Sequence, residues 1–430
     1  MQRKLGFWEA ACVYFHDQFH SSNVGAVVNV SGIIDRNFLQ EAVYILFRRH
    51  PLLRCVIKKE QEEYFFAEEA LIENIPLRVS KRTKLDHWKE VIEDEIAEKF
   101  PCEQYLWKLV MLEDPKIGEN DIIAVFHHAI SDGLSVFRFF QDLLRCYILL
   151  VNGADVDLKP LPFLPSVENL VQNYKSIKKY REEREEISAA KISQWKYQQT
   201  APLELRKPKH LYIIFDEKKL HHVLKRSKSN GVSVNSALNA ALGIACSRLY
   251  NEALTLNFGT PVQLRNFCKP PLSTEHIGCY FAVIPEVFEN ITPNVLFWDF
   301  AKKYEKTLKH HIPLLGFNPT DYHMEDIKHL FIREPKAAST ADQGPFQIAV
   351  SNIGNMDEET TFGPLRMNSF FFNTAQVSGG QFVILHAATF DKKMFCCFSF
   401  TYPLLAEETM QRFTQIFSEV LDEAIRFENK

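Results

Sequence analysis

The chain has 430 residues, 46% of them hydrophobic and 24% charged, the balance of a soluble globular protein and more length than one core usually serves. Fifty Lys and Arg stand against 54 Asp and Glu, and a net charge of −4 supplies no global field to draw nucleic acid. The nine cysteines, an odd number without zinc-ligand spacing, sit mostly in apolar surroundings and read as reduced, buried thiols of a cytoplasmic protein.

The first residues, Met1–Phe15, start basic but reach Glu9 before any long apolar stretch, so no secretory leader is expected. No apolar run reaches the length that a membrane helix needs. Val24–Val30 has the pattern of a strand. Asp35 is placed to cap a helix whose apolar residues run from Phe38 to Phe47, and Pro51 ends it. Leu53–Ile57 and Tyr64–Phe66 read as short strands. Leu85–Phe100 reads as a charged amphipathic helix with Trp88, Val91, Ile92, Ile96 and Phe100 on its apolar side. Leu106–Leu112 and Ile122–Phe126 are the next strands.

The second of these strands ends in a polar knot. His127, His128, Ser131, Asp132 and Gly133 follow the apolar run, and then Leu134, Phe137, Phe140, Leu143 and Leu144 recur at helical spacing. A histidine at the end of a buried strand can be neutral and basic near pH 7. These residue types alone leave two readings open: a positioned base, or a pair of histidines beside a turn with Asp132 capping the helix.

The pattern His127-His128-x-x-x-Asp132-Gly133 resembles the motif of the condensation-domain and chloramphenicol-acetyltransferase-like acyltransferase superfamily. The earlier segment RRHPLLRCVI, Arg48–Ile57, is similar to a helix-to-strand motif of the same group. The resemblance implies that His128 is the catalytic base, that Asp132 is structural and that a distant arginine pairs with it.

Asn152–Pro165, with three prolines, reads as a connector. Val167–Trp195 reads as a long helix whose KKYREEREE run is a solvated face. Thr200–Pro208 reads as a linker. A strand at Leu211–Phe215 and a helix at Glu217–Ser227 open the second half, and Ser233 is a candidate cap for a helix from Ala237 to Leu249. NGVSVNSALNAALGIA, Asn230–Ala245, resembles a superfamily segment. So do GTPVQLR, ending at Arg265, and Ile277–Pro285; by that resemblance Arg265 partners Asp132. Helices are expected over Val295–His311 and within Asp321–Phe331. The basic cluster Lys302, Lys303, Lys306 and Lys309 reads as a solvated face, with phosphates of a donor as the sharper alternative. Phe346–Ser351, Leu365–Phe372, Gln381–Ala387 and Met394–Tyr402 read as strands, and Ala406–Ile425 as a closing helix. AVSNIGN, Ala349–Asn355, resembles a segment of alcohol acetyltransferase-like members, which makes Ser351 and Asn352 candidates to orient substrate; a turn closed by Asn and Gly is the alternative.

The expected fold class is α/β, two chloramphenicol-acetyltransferase-like lobes with an active-site tunnel between them. Residues 1–165 form the first lobe, 166–208 a charged helix and linker, and 209–430 the second lobe. The implied activity is acyl transfer from a thioester donor, acyl-CoA or an acyl carrier protein, to an acceptor hydroxyl, without cofactor or metal. A stand-alone enzyme forming an amide is an alternative, weakened because no adenylation or carrier segment accompanies the chain; a catalytically degenerate member that binds a carrier or an acyl ligand is another. A site for a metal at His127 and His128 is disfavoured, because neighbours on an extended strand point to opposite faces. The protein is expected to act as a monomer.

Overall fold

The computed structural model describes residues 1–156, 158–171, 192–312, 321–331, 346–378 and 380–426. Two six-stranded sheets dominate, with a small three-stranded sheet beside the first. The small sheet joins β1 (Gln2–Lys4), β3 (Cys55–Glu60) and β4 (Glu63–Glu68), with β4 between the other two.

The first large sheet contains β2 (Asn23–Ser31), β5 (Leu77–Lys81), β6 (Trp107–Asp114) and β7 (Glu119–His127). The second contains β8 (Lys207–Phe215), β9 (Leu254–Gln263), β10 (Phe281–Ile291) and β11 (Ile348–Met356). The chain then returns to the first sheet with β12 (Thr361–Phe362) and β13 (Leu365–Thr374), before β14 (Val383–Phe390) and β15 (Lys393–Tyr402) complete the second. The resulting orders are β12-β13-β2-β7-β6-β5 and β10-β9-β11-β14-β15-β8.

That excursion bears on the division of the chain at residue 209. β13 lies antiparallel to β2, with Thr374 opposite Val24 and Phe372 opposite Ala26. Its hydrogen bonds therefore belong to the first sheet although its sequence lies deep in the second half. It abuts the second sheet sideways: Asn373 Nδ2 donates to the Tyr212 hydroxyl at 3.1 Å, and the Phe371 ring lies 5.1 Å from those of Tyr212 and Phe395. A strand with this dual duty cannot be assigned to a lobe by chain order.

The helices follow local rules. α1 (Phe7–Phe19) precedes α2 (Arg36–Arg49), and Asp35 caps α2 by accepting from the backbone N–H groups of Asn37 and Phe38. α3 (His87–Ala97) buries Ile92 and Ile96, and α4 (Gly133–Val151) buries Phe137, Phe140, Leu143 and Leu144 against the first sheet's core. α5 (Val167–Val171), α6 (Glu217–Ser229), α7 (Val234–Tyr250), α8 (Phe297–His311), α9 (Met324–Phe331) and α10 (Glu407–Arg426) complete the set among the described residues. Ser233 caps α7 through the Ser236 N–H.

Three expectations change. The helix expected over Val167–Trp195 is helical from Val167 to Val171 and stops short of residues 192–195, which are not helical; residues 172–191, the KKYREEREE run among them, lie outside the described residues. The linker ends earlier than Pro208, because β8 begins at Lys207; β8 is an edge strand, where a proline without an N–H is tolerated. α1 was not expected as a helix. Almost every residue of FWEAACVYF is buried, so it shows little amphipathic period, and it starts at Gly6 rather than at a polar cap. Its N-terminus is closed instead by Glu9, which accepts from the Gly6 N–H at 2.7 Å.

Candidate active site

β7 delivers the polar knot to the junction of the two large sheets. His127 ends the strand, and a single 3-10 turn spans His128–Ile130 before Asp132 caps α4. The two histidines diverge where the strand gives way to the turn. His127 is fully buried away from the junction, its ring 4.6 Å from that of His16, and its Nδ1 accepts the Ala129 N–H at 3.1 Å. His128 faces the opposite way and lines a cavity of about 260 Å³ between the sheets.

His128 is held firmly. Its backbone N–H donates to the Ser22 carbonyl at 3.1 Å, and its ring stacks on Phe281 at 4.7 Å. Its Nδ1 lies 2.7 Å from the Ser131 carbonyl. A carbonyl can only accept, so Nδ1 carries the proton and Nε2 presents a lone pair. Burial lowers the pKa of the ring below its ordinary value, opposed by the Ser131 carbonyl and the charge of Asp132. The ring is thus neutral, and basic at Nε2, near pH 7.

Asp132 does two jobs. Its Oδ1 accepts from the Ser135 N–H at 2.8 Å, capping α4. Its carboxylate also receives Arg265 in a fork, Nη1 to Oδ2 at 2.8 Å and Nη2 to Oδ1 at 3.2 Å. Tyr280 N–H adds a bond to Oδ2 at 3.2 Å, and Arg265 Nη2 also reaches Ser135 Oγ and the His276 carbonyl. Burial opposes the charged form of Asp132, but the Arg265 guanidinium and the Ser135 donors outweigh it and hold the carboxyl below its ordinary pKa. The pair fastens the turn after His128 to the start of the Arg265–Phe267 turn that follows β9.

Gly133 is needed for close approach. A Cβ there would come within 2.7 Å of Ile353 Cγ2 on β11 and 3.1 Å of the Phe372 ring on β13. Ser351 and Asn352 line the same cavity as His128. Asn352 Oδ1 accepts from the Gly354 N–H at 2.9 Å, so the turn-forming role and the cavity position coexist in that residue. On α8, Lys309 pairs with Glu305 at 3.0 Å, while Lys302, Lys303 and Lys306 are exposed.

Other lining residues were not singled out from sequence. Trp8, Ala11, Cys12 and Phe15 of α1 form one wall. A polar addition is His386 of β14, whose neighbour in β11 is Ser351. Its Nε2 lies 3.2 Å from Thr374 Oγ1, and its ring lies 5.1 Å from Phe372. Burial, and then the nearby His210 and His128, drive its pKa well below the ordinary value. A lone histidine in the apolar run VILHAATF was its one local signal.

Among the described residues one side-chain group has metal-like composition: His16, Cys102 and His127. The hydrogen bonds argue against ligation. His16 Nε2 accepts the Phe100 N–H at 3.1 Å and His127 Nδ1 accepts that of Ala129, so neither of these nitrogens is free for a metal. Burial, with Asp17 and Glu103 nearby, pushes the Cys102 thiol up to about 12. Two of the imidazole lone pairs in this group are thus already engaged by backbone N–H groups.

Two α/β lobes with a cavity at their junction are the two-lobe fold of condensation domains and chloramphenicol-acetyltransferase-like enzymes. The family model described as "Condensation domain" matches residues 11–429, and the chain belongs to that family. Among solved structures, the fold is similar to the trichothecene 15-O-acetyltransferase TRI3 of Fusarium sporotrichioides, with a TM-score of 0.75 and 14% identity over 99% of this chain and 96% of that one. It is also similar to the condensation domain of the Monacolin K polyketide synthase MokA, with a TM-score of 0.74 and 13% identity over 99% and 97% of the two chains. A curated relative, the nonribosomal peptide synthetase kk1B of Curvularia clavata, is 28% identical over 161 residues, 35% of this chain. The alignment takes in about 1% of that relative's length. Among the described residues no helix is long and apolar enough to cross a membrane.

Proposed function

We propose that the protein is an acyltransferase that moves an acyl group from a thioester, acyl-CoA or carrier-bound, to an acceptor hydroxyl, with His128 as general base. The observation that carries this reading is the fixed tautomer of His128, whose Nδ1 is bound to the Ser131 carbonyl while the ring lines the cavity. His128 Nε2 takes the proton of the acceptor hydroxyl as its oxygen attacks the thioester carbonyl. The tetrahedral intermediate collapses, the C–S bond breaks, and the proton passes from the imidazolium to the departing sulfur. Positioned general-base catalysis of this kind supplies about 10²–10⁴-fold. Holding both substrates in one cavity adds a further effective-concentration term. Asp132 and Arg265 are positioning residues that hold the His128 turn.

Direct transfer requires donor and acceptor together. Initial rates against both substrates, with acyl-CoA and acyl-phosphopantetheine donors, are expected to give intersecting lines. Intact-mass spectra with donor alone are expected to show no added acyl group. Parallel lines with a stoichiometric acyl adduct would defeat the mechanism.

A further inference from the structure

The described residues that line the cavity carry one side chain of fixed charge, Asp132, and Arg265 already pairs with it. The rest of the lining is apolar or neutral: aromatic rings, aliphatic side chains, hydroxyls, carboxamides, the Cys12 thiol and the two imidazoles of His128 and His386. An ionised group brought into such a space loses its hydration and meets no free counter-charge among the described lining residues, which is strongly unfavourable. Neutral polar groups, by contrast, find partners. His386 is 2% exposed, and its ring touches the cavity beside Thr374, which bonds its Nε2. Its Nδ1 is buried and has no hydrogen-bond partner among the described residues, so the Thr374 hydroxyl is the group through which the pair meets the cavity. In an otherwise apolar pocket, a few such groups fix the orientation of what binds.

We infer that the acceptor bound in this cavity is an uncharged, largely apolar molecule with a second neutral hydrogen-bonding group, and that His386 together with Thr374 reads that group. The inference names the acceptor class for the transfer reading above and rests on it for the word acceptor. It sets His386 apart from His128: the first selects and orients, the second takes the proton. Alcohols with a second hydroxyl or a carbonyl fit this description. Amino-acyl amines that are ionised near pH 7, and hydroxy acids, do not.

The test reads binding without donor, so that it does not depend on transfer. Rigid probes of one size are titrated at pH 7.5 while Trp8 fluorescence is followed, with Trp8→Phe as the site control: cyclohexanol, trans-1,4-cyclohexanediol, trans-4-aminocyclohexanol and trans-4-hydroxycyclohexanecarboxylate. The two charged probes are expected to bind at least about 10-fold more weakly than the diol. In His386→Phe and in Thr374→Val, the affinity of the diol relative to cyclohexanol is expected to fall about 5- to 10-fold, the size of one net hydrogen bond. His386→Asn, which keeps polar atoms, should restore part of the difference. Equal binding of diol and amine, an unchanged diol-to-cyclohexanol ratio in both variants, or no binding by any probe would overturn the inference. The wild-type series decides the charge rule even where a variant fails to fold. Binding in the expected order without acylation in the presence of acyl thioesters would instead defeat the transfer reading and leave the charge rule standing.

Discussion

His128 and His386 face one cavity from two sheets, and burial keeps both rings neutral. They differ in what holds them. The partner of His128 is a backbone carbonyl three residues along the chain, an acceptor and nothing else. Its tautomer is therefore decided before anything binds. The partner of His386 is the Thr374 hydroxyl, on a strand that pairs into the other sheet. A hydroxyl donates or accepts, so the His386 tautomer can follow the molecule in the cavity. On the proposed roles a preset base faces an adaptable recognition group, and substitutions at the two sites should separate them.

The largest effect is expected at the preset base. His128→Ala should lower kcat by about 10²–10⁴-fold. Its melting temperature should stay within a few degrees of wild type, since the ring already borders a cavity. Near-normal turnover by a folded variant would remove His128 from the chemistry. pH gives a second view of the same group. The base works when neutral, and burial lowers its pKa from the model-compound value of 6.5. Activity should therefore be level through pH 7 and fall only on the acid side of 6.5, as the pH drops through the lowered value. An acid limb centred above 6.5 would contradict that sign.

Next comes the ion pair that fastens the His128 turn. Arg265→Met leaves the buried Asp132 carboxylate without its counter-charge and should destabilise the fold by about 3–5 kcal/mol, measured by urea unfolding. The sign of the pH dependence follows from the depressed pKa of Asp132. The carboxyl is held below its ordinary value of 3.8, so its contribution is present above that pH and is lost as the pH falls through the folded-state value. The variant should lack this acid-side loss. In a double-mutant cycle with Asp132→Asn, strict additivity would show that the two side chains do not share their energy.

The same contrast explains what could be read from the sequence. His127, His128, Asp132 and Gly133 lie within seven residues, and their geometry is set by a strand end, one turn and a helix cap. Arg265 is 133 residues from Asp132 and was reached through the resemblance of GTPVQLR, because no local rule pairs two such distant positions. His386 was not reached at all. Its role depends on β13 leaving the second half of the chain to pair with β2, which brings Thr374 beside it. α1 escaped for a different reason: a helix buried on nearly all sides has no polar face to mark its period, yet Trp8, Cys12 and Phe15 form a wall of the cavity. The division at residue 209 assumed that a lobe is a continuous stretch, and strand exchange between the sheets breaks that assumption.

A smaller effect should come from the adaptable site. Thr374→Val removes the partner of His386 Nε2 while keeping the side-chain shape, leaving a buried nitrogen unpaired. The expected loss is about 1–3 kcal/mol of stability, seen in the unfolding midpoint. Thr374→Ser keeps the hydroxyl and should lose less than half as much. Equal losses in the two variants would mean that the methyl group, and not the hydrogen bond, matters at this position.

The smallest effect should come from the residue that lends His128 its carbonyl. Ser131 is fully buried, and a side chain so close to a base invites a catalytic role. Its hydroxyl, however, donates to the Asp132 carbonyl at 3.3 Å, a long bond, while the bond to His128 Nδ1 comes from the Ser131 backbone. Ser131→Ala keeps that carbonyl and the tautomer it imposes. It should cost no more than about 1 kcal/mol of stability, change kcat less than about 3-fold, and leave the acid limb of the pH profile in place. Ser131→Ala thus mirrors Thr374→Val: in both a hydroxyl beside a cavity histidine is removed, and only the second should alter what the histidine binds. If Ser131→Ala instead lowered kcat as far as His128→Ala does, the base would depend on a side chain, and the claim that its tautomer is fixed by the backbone would fall.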